Sequence, residues 1–450
     1  MRLLRALTCV AAAVWLAPLA ARAEEAPAAR LTFDPTTTFQ TMEGWGVALP
    51  CWLGDKTVRD GAAYDRGPER SEYSEALNEA LAADLVERGF NRFRLEVGFH
   101  VEFENDNADP NVLDMRAFRF KWQDAMVREQ LLPMKRLLDA RGEPTVLYMS
   151  YDLGSARSPA WLLEPEEYAE MAVATLTHLK EAFGLKPAYW SVLNEPANGR
   201  PGSPKLCAEL TAATGRRIAQ AGFKTRMSGP ECVTPKQADA YLKAMVDTPQ
   251  ALDRFAQITY HLYWDPETIE HRRTIRDWAR KLKVTAAQTE WMEQRDLDVA
   301  RHIFLCLTEA DVVAWERYAW DVKTDVKAGT FARESTAWYV RQFSRFIRPG
   351  AVRVGLTGSD AAVKGVAFLS PRKKPVIVVI NADGRPRPVR IAGLPAGDCA
   401  VSYTAPEAEG KALPDASVRQ GEDLALDLPA RSVVTLTADP PAPGPRQRAN

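Results

Sequence analysis

The stretch Trp190-Ser191-Val192-Leu193-Asn194-Glu195-Pro196 decides how the chain is read. A short apolar run ends in an amide, an acid and a proline. Proline has no backbone N–H and a fixed φ, so an extended segment stops there. This is a strand that delivers Asn194 and Glu195 to its C-terminal end. Ala286-Ala287-Gln288-Thr289-Glu290-Trp291 repeats the pattern, with an acid where an apolar strand stops. Working outward, runs of the same kind occur at Glu43–Leu49, Asn91–Val97, Thr145–Asp152, Tyr189–Glu195, Arg226–Glu231, Ile258–Trp264, Val284–Glu290 and Val312–Tyr318. Helical patterns follow them at about 72–89, 122–141, 165–183, 204–221, 235–248, 266–282, 296–309 and 334–347. Their starts carry early prolines (Pro165, Pro235, Pro266), and Gly89, Gly142, Gly184 and Gly222 punctuate their ends.

Eight strand–helix units predict an α/β fold, a (β/α)8 TIM barrel over residues 40–349. An open doubly wound sheet is the competing architecture. Its nucleotide-binding forms need a phosphate loop, and no G-x-G-x-x-G follows the first strand. After Arg348-Pro349-Gly350 the texture changes to short β runs split by Gly, Pro and Asp, which predicts a small antiparallel β-sandwich over 350–438. Residues 24–39 read as an extended N-terminal segment packing with that β domain, and 439–450 as a disordered tail. Long βα loops are expected at Leu53–Arg70 and Gly98–Lys121.

Residues 1–23 have the form of a cleaved signal peptide: Arg2 and Arg5, an apolar run from Leu7 to Leu19, then Ala21-Arg22-Ala23. The run is too short to span a bilayer, so the expectation is a secreted or periplasmic protein with no membrane span. The whole chain of 450 residues carries 58 Lys+Arg and 59 Asp+Glu; removing Arg2, Arg5 and Arg22 leaves 55 against 59. No basic excess exists to neutralise phosphates, so nucleic acid is not an expected partner. Five cysteines remain beyond the signal (Cys51, Cys207, Cys232, Cys306, Cys399), an odd number without C-x-x-C spacing. The five histidines (His100, His178, His261, His271, His302) form no H-x-x-x-H or H-E-x-x-H motif, so neither a metal nor a cofactor is expected.

In a barrel, catalytic groups come from the C-terminal strand ends. The acids there include Glu96, Asp152, Glu195, Glu231, Asp265, Glu290 and Glu316. Each taken alone is more often a surface charge or a helix N-cap partner. Glu195 and Glu290 together, on the fourth and seventh strands, offer what glycoside hydrolysis needs: one carboxyl to protonate the leaving oxygen and one to attack or to activate water. Trp45, Trp52, Trp161, Trp291 and Trp315 lie at or near strand ends. Indole faces stack on sugar rings, so these are candidate platforms, Trp315 foremost; the competing reading is core.

These segments resemble the retaining glycoside hydrolases of clan A, and family 30 in particular. The likeness rests on Glu43-Gly44-Trp45-Gly46, Ser158-Pro159-Ala160-Trp161, Asn194-Glu195-Pro196, His261-Leu262-Tyr263, Glu290 and the run from Gln342 to Gly350, and it spans roughly 30–437. The resemblance implies that Glu195 is the acid/base and Glu290 the nucleophile. It implies that Asn194 binds the sugar 2-hydroxyl, Tyr263 donates to Glu290, and Arg94 keeps that carboxylate ionised. Arg94 as a structural ion pair low in the barrel stays open, as does His261 as either a ligand contact or a satisfied barrel histidine. Family activities include glucosylceramidase, β-xylanase, β-1,6-glucanase and endo-β-1,6-galactanase. Pro50-Cys51-Trp52 departs from the glucosylceramidase pattern, and the pattern looks closest to the galactanase-like branch. Leu95-Glu96-Val97-Gly98 departs as well, which makes Glu96 a candidate subsite residue. The expected substrate is a β-linked oligo- or polysaccharide; transglycosylation and carbohydrate binding on an inactive barrel are the alternatives. Oligomeric state is not legible.

Overall fold

The computed structural model describes residues 28–49, 73–98, 101–102, 104–152, 160–198, 202–264, 266–358 and 360–439. The signal segment, the loop 53–70, Cys51, Trp52, Ser158, Pro159, Asp265 and the tail beyond 439 lie outside the described residues.

The chain enters through strand β1 (Ala29–Thr41) and then builds a closed parallel barrel. Its staves are β2 (Gly44–Ala48), β3 (Arg92–Gly98), β4 (Val146–Asp152), β5 (Tyr189–Ser191), β6 (Arg226–Cys232), β7 (Phe255–His261), β8 (Thr285–Glu290) and β9 (Ala314–Arg317), each hydrogen-bonded to its sequence neighbours. The ring closes because β9 pairs with β2, with Trp45 opposite Trp315. The expected (β/α)8 architecture is therefore present.

The helices are α1 (Glu75–Arg88), α2 (Lys121–Met126), α3 (Leu132–Ala140), α4 (Pro165–Phe183), α5 (Pro204–Gln220), α6 (Pro235–Asp247), α7 (Ile269–Leu282), α8 (Asp296–Glu309) and α9 (Ser335–Ser344). Sequence chemistry sets several of their ends. Ser74 and Ser203 cap α1 and α5 by accepting from the backbone N–H three residues on, and Thr234 with Gln237 forms a reciprocal capping box on α6. Gly89 ends α1 at φ +100°, a conformation that side-chain-bearing residues rarely adopt. The helix expected at 122–141 is interrupted: Val127–Leu131 is a π turn between α2 and α3. Pro133 supplies the reason, since it has no N–H to offer the preceding turn and the wider turn absorbs the missing bond.

Inside the barrel, period-2 alternation divides each stave. Arg92 donates to Glu316 and Glu43, and to Gln257 at 2.7 Å, so these side chains meet across the lower lumen. The odd partners, Phe93, Leu95 and Val97 on β3, pack outward in the core under the helices.

The second domain is a nine-stranded sheet in the order β17-β16-β19-β14-β13-β12-β1-β15-β18. Its strands are β12 (Val352–Gly358), β13 (Val363–Leu369), β14 (Pro375–Asn381), β15 (Arg387–Ala392), β16 (Gly397–Ala405), β17 (Ala408–Val418), β18 (Leu424–Leu428) and β19 (Ser432–Thr437). A hairpin, β10 (Val322–Asp325) with β11 (Thr330–Arg333), precedes α9. Strand β1 sits between β12 and β15, tying the first described residues to this domain. β14 is buried along its whole length, which alternation explains. Ile377 and Val379 join the sandwich core with Leu31, Phe33, Val401 and Leu436, while Val376, Val378 and Ile380 join the barrel core. Gln342 on α9 stitches the two, donating to Thr404 (3.0 Å) and accepting from Thr435 (2.8 Å). Among the described residues no helix is long and apolar enough to cross a membrane.

Candidate active site

Strand β5 stops at Ser191, four residues earlier than the sequence pattern suggests. From there the backbone leaves the ladder and is held by neighbouring strand ends: Asn194 N–H donates to Tyr151 O (2.7 Å) and Glu195 N–H to Glu231 O (3.0 Å). Glu195 and Glu231 both adopt left-handed backbone, at φ +48° and +55°. For a non-glycine residue this costs on the order of 1–2 kcal/mol, and such strain concentrates at functional sites. Two strained acids tied to each other at the barrel mouth mark where to look.

The groups converging there come from five staves. Glu290, at the end of β8, receives Tyr263 Oη–H at Oε1 (2.9 Å) and Arg94 Nη1 at Oε2. Arg94, fully buried on β3, also donates through Nη2 to Glu96 Oε1 (2.9 Å) and to Asn194 Oδ1 (3.2 Å). The two readings of arginine thus separate by two positions: Arg92 makes the structural pairs low in the barrel, and Arg94 sits one layer up against Glu290. Glu195 is held from two sides, with His261 Nδ1 at 3.0 Å from Oε1 and Asn198 Nδ2 donating to Oε2 at 2.9 Å. On its far side His261 Nε2 meets Glu231 Oε2 at 3.1 Å, and Thr289 Oγ1 donates to the same carboxylate at 3.1 Å.

The electrostatics of this chain are unequal. Burial alone drives His261 towards neutrality. The Glu290 charge, the ring's hydrogen bonds to Glu195 and Glu231 and the Glu231 charge outweigh it, and hold the ring up at about 9. Burial likewise works to raise Glu231, but the hydrogen bond and charge of His261, with Arg94 and Thr259, bring it down to about 2. At neutral pH the pair is therefore an imidazolium facing a carboxylate. Burial, then the Glu290 charge and its hydrogen bond, push the Tyr263 phenol well up, so it remains a donor.

Glu195, His261 and Glu290 each present an atom within 4.8 Å of the others. A metal could use such a triad only through a ring lone pair. A cationic His261 with both nitrogens facing carboxylates offers none. The same proximity places a Glu195 oxygen no more than 4.8 Å from a Glu290 oxygen.

The aromatic expectations are corrected in three places. Trp45 is fully buried; its ring lies 6.3 Å from Phe343 and its Nε1 donates to Ile347 O at 2.7 Å. Trp291 is fully buried edge-on to His302 at 4.8 Å. Trp315 is fully buried in the same core. Alternation is the cause: Glu290 and Glu316 point into the lumen, so Trp291 and Trp315 beside them point to the helix layer. Trp161, half-buried, packs on the core from a short 3-10 turn, Ala160–Leu163. Among the described residues, an open aromatic that sequence reasoning passed over is Trp264, next in the chain to Tyr263, 63% exposed and left-handed at φ +62°. Glu231 and Asn198 were also missed as partners. The four described cysteines, Cys207, Cys232, Cys306 and Cys399, are free and buried.

Residues 350–436 match the glycosyl hydrolase family 30 beta sandwich domain. The second domain is thus of the family 30 beta sandwich type. Solved structures carry the likeness of fold across the barrel as well. A family 30 endoxylanase from Clostridium papyrosolvens is 17% identical with a TM-score of 0.68, over 91% of this chain and 99% of that one. The catalytic domain of family 30 xylanase C from Talaromyces cellulolyticus is 20% identical with a TM-score of 0.67, over 91% and 99%. An endo-β-1,6-glucanase is 15% identical with a TM-score of 0.63, over 90% and 94%. These likenesses are of fold, and span both the barrel and the sandwich.

Proposed function

We propose that the protein is an exported retaining β-glycoside hydrolase in which Glu290 is the nucleophile and Glu195 the acid/base. The observation that carries this reading is the approach of the two carboxylates to within 4.8 Å at one barrel mouth. Retention needs carboxyl groups about 5–5.5 Å apart, whereas inversion needs about 6.5–9.5 Å to seat a water between them.

In the first step Glu290 attacks the anomeric carbon as Glu195 protonates the departing oxygen. Tyr263 and Arg94 aim Glu290, one hydrogen bond on each oxygen. As Glu195 gives up its proton, the nascent carboxylate is stabilised by His261 and Asn198. Glu231 balances the His261 charge from the far side of the ring. In the second step Glu195 takes a proton from water, which attacks the glycosyl–Glu290 ester and frees the sugar. Asn194, anchored by Arg94, is placed for the sugar 2-hydroxyl, and Trp264 supplies an open aromatic face beside Tyr263.

The substrate is a β-linked glycan; the galactan-like pattern of the sequence favours β-1,6-galactan, with β-1,6-glucan and xylan as competitors. The signal-like residues 1–23 favour a secreted or periplasmic location. A screen over β-linked galactans, glucans, xylans and aryl glycosides tests this, with Glu195→Ala as the blank. Hydrolysis of one polymer that Glu290→Gln abolishes supports the reading; turnover that survives Glu290→Gln contradicts it.

A further inference from the structure

A second cluster of acids lies away from the catalytic pair. Glu102 follows β3, Asp106 lies in the loop towards α2, and Glu170 projects from the second turn of α4. One carboxylate oxygen from each lies within 4.8 Å of the others. Glu102 is fully buried and Glu170 is 1% exposed. Like charges this close and this dry repel, and a buried acid normally has a cation or donor to offset its desolvation.

Among the described residues that partner is missing. Both oxygens of Glu170 lack a hydrogen-bond partner, as do Glu102 Oε2 and Asp106 Oδ1. Their remaining oxygens take backbone N–H groups only: Glu102 Oε1 from Asp106 (3.4 Å), Asp106 Oδ2 from Asp114 (2.6 Å). Glu167, one turn before Glu170 on α4, adds a further buried oxygen without a hydrogen-bond partner, Oε2, and its charge acts on both Glu102 and Glu170. The nearby cation, Arg217 of α5, is engaged elsewhere: it donates to Pro110 O (2.6 Å) and Asn111 Oδ1 (3.2 Å), and lies 3.8 Å from Glu166.

We infer that Glu102, Asp106 and Glu170, with Glu167 at the rim, bind a calcium ion that pins the β3–α2 loop to helix α4. Geometry fits: calcium takes oxygens at about 2.3–2.6 Å, so two ligands on one ion lie up to about 5 Å apart. Chemistry fits as well. The donors are all hard carboxylate oxygens, without the imidazole or thiolate that zinc or copper prefers. Unpartnered carboxylates from two separate segments suit a flexible, many-coordinate ion better than magnesium, which demands a compact octahedron and keeps its waters. Glu102 lies six residues after Glu96, so the ion would steady one wall of the active-site mouth without touching substrate.

The test uses the full chain, stripped with chelator and returned to buffer. Calorimetric titration with calcium chloride should show one site, and saturating calcium should raise the melting temperature by about 3 °C or more over the chelated protein. Glu170→Gln should lose both responses while its chelated form melts no lower than the chelated parent, because a repelling charge has gone. If Glu170→Gln does not fold, Asp106→Asn carries the same expectation. Absence of both responses in the parent, a response to magnesium but not calcium, or an unchanged calcium response in the variant overturns the inference.

Discussion

Replacing Glu231 with Gln keeps the shape of a buried side chain and removes its charge. Glu231 supplies two of the influences that hold His261 at about 9, a hydrogen bond at 3.1 Å and a coulombic pull. The distance from the ordinary 6.5 to about 9 amounts to on the order of 3 kcal/mol of folded-state preference for the charged ring. The sign follows from the direction. A raised group stabilises the fold fully below 6.5 and loses that contribution as pH rises through about 9. Glu231 runs the other way: held at about 2 against an ordinary 4.5, it stabilises above 4.5 and is lost as pH falls through about 2. In Glu231→Gln the downward push of burial on His261 meets only Glu290 and Glu195. The ring should then titrate lower by about one pH unit or more. Ring-proton NMR of His261 followed from about pH 5 to pH 10 reads this directly, and melting curves over the same range should show the alkaline loss of stability moving down with it. Titration of His261 near 9 in both proteins would refute the charge chain His261–Glu231.

Two further outcomes follow from the packing. Trp315→Ala should cost about 3–5 kcal/mol of stability, read by chemical denaturation, because it empties a fully buried site under the helices; a loss confined to substrate affinity would return Trp315 to the sugar. Trp264→Ala should raise KM several-fold with little change in melting temperature, since its ring is 63% exposed; an unchanged KM on the true substrate removes it from the cleft.

Much of this was legible in the chain, and the misses have physical causes. Strand-end acids such as Glu195 and Glu290 announce themselves because an apolar run must stop before a charge. Arg92 and Arg94 look alike in sequence, and only the lumen layers tell which one meets Glu290. The tryptophans were misread although the signal was present: a side chain next to an inward carboxylate faces outward, which sends Trp291 and Trp315 to the core. Glu231 depends on His261, thirty residues on, and on a left-handed turn that no local pattern encodes. The acidic cluster is invisible in the chain because Glu102 and Glu170 lie far apart in it and come together only through the fold.

The central claim is a double displacement through Glu290, and the configuration of the first-formed product tests it most directly. Proton NMR on fresh hydrolysate of an active β-glycoside should show the β-anomer appearing first and the α-anomer growing in only by mutarotation. An α-anomer formed first would contradict the account, since it requires water between the carboxylates where 4.8 Å leaves none.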